Sequence, residues 1–168
     1  MSVTIKLLKA QDIPHITAAP SFLNFNAPAP YFEKLLKAQE KGEIVFLVAR
    51  TGSAIAGFVY IKWRADYPPF AEKGIPEIRD LRVLPESRRR GIAAALMDEA
   101  EKRIFKRSNI AGLGVGLYAD YGPAQQMYIR RGYVPDGRGL MYNNHPVNPG
   151  LDVFVDDRLL LFFVKERQ

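Results

Sequence analysis

The 168-residue chain is 48% hydrophobic and 25% charged, a composition that supports a buried core, and its lack of cysteine excludes disulfides, thiolate catalysis and cysteine-held zinc. Its 24 lysines and arginines exceed its 18 aspartates and glutamates, so the net charge of +6 favours an anionic partner: nucleic acid, acidic lipid or a phosphorylated small molecule. With two histidines, no apolar run near the ~18 residues of a membrane helix and no signal-peptide order in its first residues, the chain reads as one cytoplasmic domain over residues 1–168 with no metal and no membrane partner.

In chain order, Ile5 and Leu7 alternate with polar neighbours and predict an opening strand, and Asp12 with Pro14 marks a helix start. Residues 18–30, with three prolines and two asparagines, read as broken helix and loop. Tyr31, Phe32, Leu35, Leu36 and Ala38 recur at helical spacing, and Gly42 stops that helix. The β-branched and aromatic run 44–49, the turn 51–53 and the run 54–63 predict an antiparallel hairpin.

Residues 66–74 read as a loop and 77–83 as a strand, broken at residues 84–87. A long helix follows over residues 88–107. In it Ile92, Leu96, Ala100 and Ile104 form one apolar stripe, while Asp98, Glu99, Glu101, Lys102 and Arg103 fall largely on the wet face. A strand over 110–118, a helix over 123–131 ended by Gly132, a long polar loop over 142–150 and a last strand over 159–164 complete a mixed α/β domain with a twisted, largely antiparallel sheet. Gly112, Gly114 and Gly116 leave one face of the 110–118 strand bare, so something packs closely there: the alanine-rich start of the long helix, or a ligand.

The most informative window is residues 77–93. A strand ends, a short loop turns, and a helix opens with Arg88, Arg89, Arg90, Gly91, Ile92, Ala93 and Ala94. The first NH groups of a helix lack internal partners and sit at the positive end of its dipole, and Gly91 and Ala93 leave room for an anion to approach the backbone. A di- or triphosphate held by main-chain NH groups, with arginines closing over it, is the chemistry this pattern suits. A solvated basic face is the plainer alternative.

This window resembles the acetyl-coenzyme A signature of the GNAT superfamily of N-acetyltransferases, Arg/Gln-x-x-Gly-x-Gly/Ala after a strand, with Arg88, Gly91 and Ala93 in its fixed positions and Val83 at the strand end. Residues 121–133 resemble the family's second signature, Asn-x-x-Ala-x-x-x-Tyr-x-x-x-Gly-Phe/Tyr, through Ala124, Tyr128, Gly132 and Tyr133, with Tyr121 where the family often has asparagine. The resemblance covers about residues 75 to 135 and implies the family's fold, a mixed sheet flanked by helices on both faces. It implies transfer of acetyl from acetyl-coenzyme A, as co-substrate, to an amine of a small molecule or protein.

The backbone of Leu81, Arg82 and Val83 would pair with the pantetheine arm as an added strand. Main-chain NH groups from Arg88 to Ala94 would hold the pyrophosphate, and a backbone NH near Val83 would face the developing oxyanion. Tyr128 carries over as proton donor to the departing thiolate, against the alternative of a core tyrosine. Ala124 and Tyr121 fall in the cofactor-holding signature, with Asp120 or the Tyr121 hydroxyl standing in for the missing asparagine.

An amine of pKa near 10.4 must lose a proton before it attacks, at roughly 4 to 5 kcal/mol at pH 7. Some relatives use a glutamate fourteen residues ahead of the signature glycine, which here is Glu77; others use a water chain. By strand alternation Glu77 shares a face with Arg79, Leu81 and Val83, unless it is a solvated strand-end carboxylate paired with Arg79. His145 could contact substrate or stand exposed. The other function classes are a nucleic-acid module, against which the aromatics do not interleave with basic residues, and a sensor that binds coenzyme A without transfer. The sequence leaves room for a homodimer and does not name the acceptor.

Overall fold

The computed structural model describes residues 2–19 and 27–168, so most of the broken segment expected over 18–30 lies outside the described residues. In chain order the elements are β1 (Val3–Leu7), α1 (Ile13–Ala18), α2 (Ala29–Glu40), β2 (Ile44–Thr51), β3 (Ala54–Lys62), α3 (Pro68–Lys73) and β4 (Glu77–Val83). They continue with α4 (Ile92–Ile104), β5 (Ile110–Gly116), α5 (Gly122–Arg130), β6 (Val134–Tyr142), β7 (His145–Pro146) and β8 (Leu159–Glu166). The chain divides into two compact units, Met1–Trp63 with Ile78–Arg103, and Arg64–Glu77 with Ile104–Gln168.

In the first unit the strands run in the order β1, β2, β3, β4. β1 pairs antiparallel with β2, and β2 with β3 from Ile44↔Lys62 to Thr51↔Ala54, with a register shift at Ala49 and Arg50. The hairpin read from residues 44–63 is therefore present. Its side chains build an aromatic core: Phe32 of α2 meets Phe46 and Phe58 edge to face at 6.2 and 5.8 Å, and Tyr60 stacks on Phe46 at 5.9 Å. Burying each such ring stabilises by about 1.5–3 kcal/mol, and edge-to-face pairs add about 0.5–1.5.

The stripe foreseen on α4 is buried in full, from Ile92 to Ile104. The wet face needs one correction: Glu101 is only 7% exposed. The helix also begins at Ile92 rather than Arg88, because residues 88–91 form a turn.

In the second unit β5, β8, β6 and β7 lie side by side. β8 pairs antiparallel with β5 from Ile110↔Glu166 to Gly116↔Leu160, and with β6 on its other edge. Three elements here were not read from the sequence. α3 replaces a loop: Pro68 and Pro69 stand in its first turn, where the missing NH costs nothing, and Gly74 closes it with φ 63°. β6 was missed because it is exposed and broken by Gly137 and Gly139, at φ 81° and 74°; pairing with β8 makes it a strand. Asn143 and Asn144, at φ 49° and 64°, then turn the chain into β7, so the polar loop over 142–150 opens as a hairpin.

The bare glycine face of β5 is occupied by rings. A Cβ on Gly112 would strike the Phe70 ring, one on Gly116 the Tyr121 ring, and one on Gly114 would crowd Phe162. Phe70 in turn packs edge to face on Tyr67 at 4.9 Å, and Tyr67 stacks on Phe162 at 3.7 Å. The occupants are thus aromatic side chains rather than the start of α4.

Candidate functional site

The corner from β4 through the turn to α4 belongs to the first unit. β3 fixes its approach: Gly57 carries no side chain because the carbonyl of Arg82 and the backbone of Val83 lie where its Cβ would stand, and Leu84 N donates to Ala56 O at 2.9 Å. Ser87 N then donates to Leu84 O at 2.8 Å and Arg88 N to Pro85 O at 3.2 Å, folding residues 85–87 into one tight turn. Leu81, Arg82 and Val83 are half-buried, and Arg88 Nε donates to Val83 O across an exposed 3.3 Å. A bond that long and that wet adds little to stability.

Arg89 and Gly91 both take positive φ, 60° and 76°. For arginine this is strained, costing roughly 1–2 kcal/mol, whereas glycine adopts it freely. Gly91 O accepts from Ala95 N at 2.9 Å, so Gly91 caps α4 and the NH groups of Ile92, Ala93 and Ala94 have no partner within the helix. Ile92 is buried and anchors the turn, while Arg88, Arg89 and Arg90 are exposed. Three cations at a helix N-terminus oppose the dipole by about 0.3–1 kcal/mol each. Helix-start amides beside a strained turn and crowded positive charge form a place to which an anion binds favourably.

The fit to a coenzyme A diphosphate follows from those groups. Nothing lies within 4 Å of the place a Gly91 Cβ would take, the amides supply donors, and the arginines supply charge. The donor set suits the group.

β4 itself is not a plain strand. Asp80 has φ 50°, and a left-handed residue inside a strand interrupts its two-residue alternation. Glu77 is 5% exposed, which removes the alternative of a solvated strand-end carboxylate.

Glu77, Tyr121, Ala124 and Tyr128 belong to the second unit. Tyr128 lies on α5 as its spacing predicted, buried, with its ring edge to face on Tyr133 at 5.9 Å. Burial alone pushes its phenol up to about 12, so it stays protonated far above neutral pH. Ala124 is half-buried one turn earlier on α5. Tyr121 lays its ring on Gly116 and its hydroxyl donates to Asp157 Oδ1 at 2.8 Å, an acceptor that Tyr118 shares. Gln125 Nε2 donates to Gly116 O at 2.8 Å and ties the start of α5 to the end of β5. His145 is exposed in β7.

Among the described residues no group of three His, Asp or Glu could hold a metal ion, and no helix is long and apolar enough to cross a membrane. Sequence reasoning passed over the left-handed backbone at Asp80, whose carboxylate accepts from the Tyr31 hydroxyl at 2.7 Å. The available signal was an aspartate in the middle of a strand, where that residue type is depleted.

Residues 13–133 match the model of the acetyltransferase (GNAT) family. In structure the chain is similar to the N-acetyltransferase of Staphylococcus aureus Mu50, with TM-score 0.74 and 15% identity over 99% of each chain. It is similar to the ribosomal-protein-alanine N-acetyltransferase of Brucella melitensis, with TM-score 0.71 and 17% identity over 97% of this chain and 99% of that one. It is also similar to the PaiA N-acetyltransferase of Thermoplasma acidophilum in complex with coenzyme A, with TM-score 0.66 and 17% identity over 99% of each. At these identities the likeness is one of fold. No curated protein matches the chain in sequence.

Proposed function

The chain belongs to the acetyltransferase (GNAT) family, and from that premise we propose that residues 1–168 act as one domain moving acetyl from acetyl-coenzyme A to a primary amine of a small molecule or peptide. The observation that carries the co-substrate is the run of unpaired amides at the start of α4, with the turn wound through positive φ at Arg89 and Gly91. The bound thioester supplies an acyl carbon that an amine can attack directly.

This chain's residues then have separable tasks. The NH groups of Gly91, Ile92, Ala93 and Ala94 hold the diphosphate, and Arg88 to Arg90 neutralise it. The main chain of Leu81, Arg82 and Val83 lies along the pantetheine arm, for which Arg88 gives up its weak bond to Val83 O. Ala124 and Tyr121 belong to the same cofactor-holding set.

Tyr128 holds a proton for the departing thiolate. A phenol near 12 is a weaker acid than a thiol near 8.5, so the transfer is downhill only once burial also disfavours the thiolate. Glu77, buried in β4, takes the amine proton, directly or through water. Without cysteine the chain is indifferent to the redox state around it, and a cytoplasmic setting is part of the same proposal.

The test is calorimetric titration with acetyl-coenzyme A, followed by thiol release in the presence of primary amines. Binding with amine-dependent release supports the transferase. Binding without release from any amine indicates a sensor, and binding of oligonucleotide alone a nucleic-acid module.

A further inference from the structure

Water-exposed apolar side chains are concentrated in one stretch of the second unit. Among the described residues seven large apolar side chains stand exposed, and all but Leu7 fall between residues 129 and 155. They form two groups. Ile129, at 61% exposure, Val134 and Leu140 lie along the end of α5 and β6. Leu151, Phe154, at 77%, and Val155 lie in the connection from β7 to β8. Single exposed apolar residues are ordinary on a surface, whereas groups of them mark places that another surface covers.

The two groups carry opposite charge. Residues 129–140 include Arg130, Arg131 and Arg138 against one acid, Asp136, whose carboxylate accepts from the Tyr67 hydroxyl and from Arg138 N. Residues 151–157 include Asp152, Asp156 and Asp157 and no lysine or arginine. Arg158 matches Asp156, which leaves Asp152 and Asp157 to set the sign.

Each group is also held in place. Gly132 N donates to Ile129 O and Tyr133 N to Tyr128 O, both at 3.0 Å, so a tight turn carries Ile129 and Val134 to the same end of α5. At the acidic segment Val147 N donates to Leu140 O at 2.9 Å on one side, and the hydroxyls of Tyr118 and Tyr121 donate to Asp157 on the other. A segment fixed at both ends loses little conformational freedom when it docks.

We propose that residues 151–155 of one copy of this chain dock on the surface of Ile129 and Val134 of a second copy, and that the second copy returns the contact. The two surfaces complement each other: apolar side chains meet apolar side chains, with aspartates on one and arginines on the other. Phe154 stands clear of its own chain, so its cover comes from another molecule. Reciprocal exchange about a twofold axis closes the assembly at a dimer, and the second contact is intramolecular once the first has formed.

The test is sedimentation equilibrium of the whole chain and of two variants, Phe154→Ser in the acidic segment and Ile129→Ser on the basic surface. Both side chains stand in water, so both variants are expected to fold, with circular dichroism as the check. The native protein is expected to be a dimer at about 100 μM, and each variant to dimerise about tenfold or more weakly. In an equimolar mixture, Phe154 of the Ile129→Ser copy meets Ile129 of the Phe154→Ser copy. One native contact is thereby restored, and the mixture is expected to associate more tightly than either variant alone.

A mixture no tighter than its parts overturns the proposal, as does a native dimer that neither substitution weakens. A native protein that stays monomeric at that concentration overturns it too, and one that instead cosediments with phosphatidylglycerol vesicles assigns the arginine-flanked surface to anionic lipid.

Discussion

The two halves of the proposed machinery are built from different materials. At the start of α4 the groups that matter are main-chain amides, exposed by a turn with φ 60° at Arg89 and 76° at Gly91. In α5 the group that matters is one side chain, the Tyr128 phenol, whose chemistry is set by burial. A backbone site survives most side-chain changes and fails when the turn can no longer form. A buried side-chain site fails with the loss of one oxygen. Legibility follows from the same contrast, because turn residues and helix starts write their geometry into local sequence, whereas a pKa depends on what the fold brings near.

The sharpest break falls on the side-chain half. Tyr128→Phe removes the proton donor and leaves the buried ring, so kcat for thiol release is expected to fall about 100-fold. Coenzyme A affinity measured by calorimetry stays within twofold. An unchanged kcat would make Tyr128 a core tyrosine.

Packing elsewhere in the unit that holds Tyr128 is tested by Gly112→Ala. The added methyl strikes the Phe70 ring, which is locked between Tyr67 and Phe162. Chemical denaturation is expected to show a loss of about 1–3 kcal/mol, with coenzyme A affinity of the folded protein unchanged. A neutral result would mean that the ring stack repacks freely.

For the backbone half, Gly91→Ala keeps every amide but strains the turn by roughly 1–2 kcal/mol. Acetyl-coenzyme A is expected to bind about tenfold more weakly, against little change on replacing any single arginine of the triplet. If single arginine variants cost more than Gly91→Ala, the site is electrostatic rather than backbone-built.

The smallest effect is a pH dependence. The Tyr128 pKa rises from 10.0 to about 12 on folding, so the protonated phenol stabilises the fold fully below pH 10, and that contribution is lost as pH rises toward 12. Tyr128→Phe should unfold less steeply across that window than native protein, by about 1.4 kcal/mol per pH unit at most. Equal slopes would show that other buried tyrosines carry the transition.

Much of the fold was readable, and the exceptions share a cause. The hairpin of β2 and β3 and the stripe of α4 are periodic, and periodicity is local. α3 was hidden because two adjacent prolines signal a loop until one knows they stand in a helix's first turn. β6 was hidden because Pro135, Gly137 and Gly139 argue against a strand, and the opposing argument is its pairing with β8. Glu101 was assigned to the wet face by its chemistry and is buried by its neighbours, and burial decided between the two readings of Glu77 by removing the solvated one. Asp80 left one faint sign, an acid within a strand, and its left-handed backbone was invisible until the fold was drawn.

By itself, then, the chain's order of residues determined its class, its principal helices and hairpin, the glycine turn that opens α4 and the helical place of Tyr128. Each depends on spacing within a few residues, where propensity and chain geometry decide. Tertiary structure alone decided the left-handed turn of backbone inside β4, what fills the bare strand at Gly112 and Gly116, and that Tyr31 meets Asp80 across 49 residues of sequence. Those outcomes depend on long-range packing and on the loss of water around particular groups, and neither is encoded at any one position.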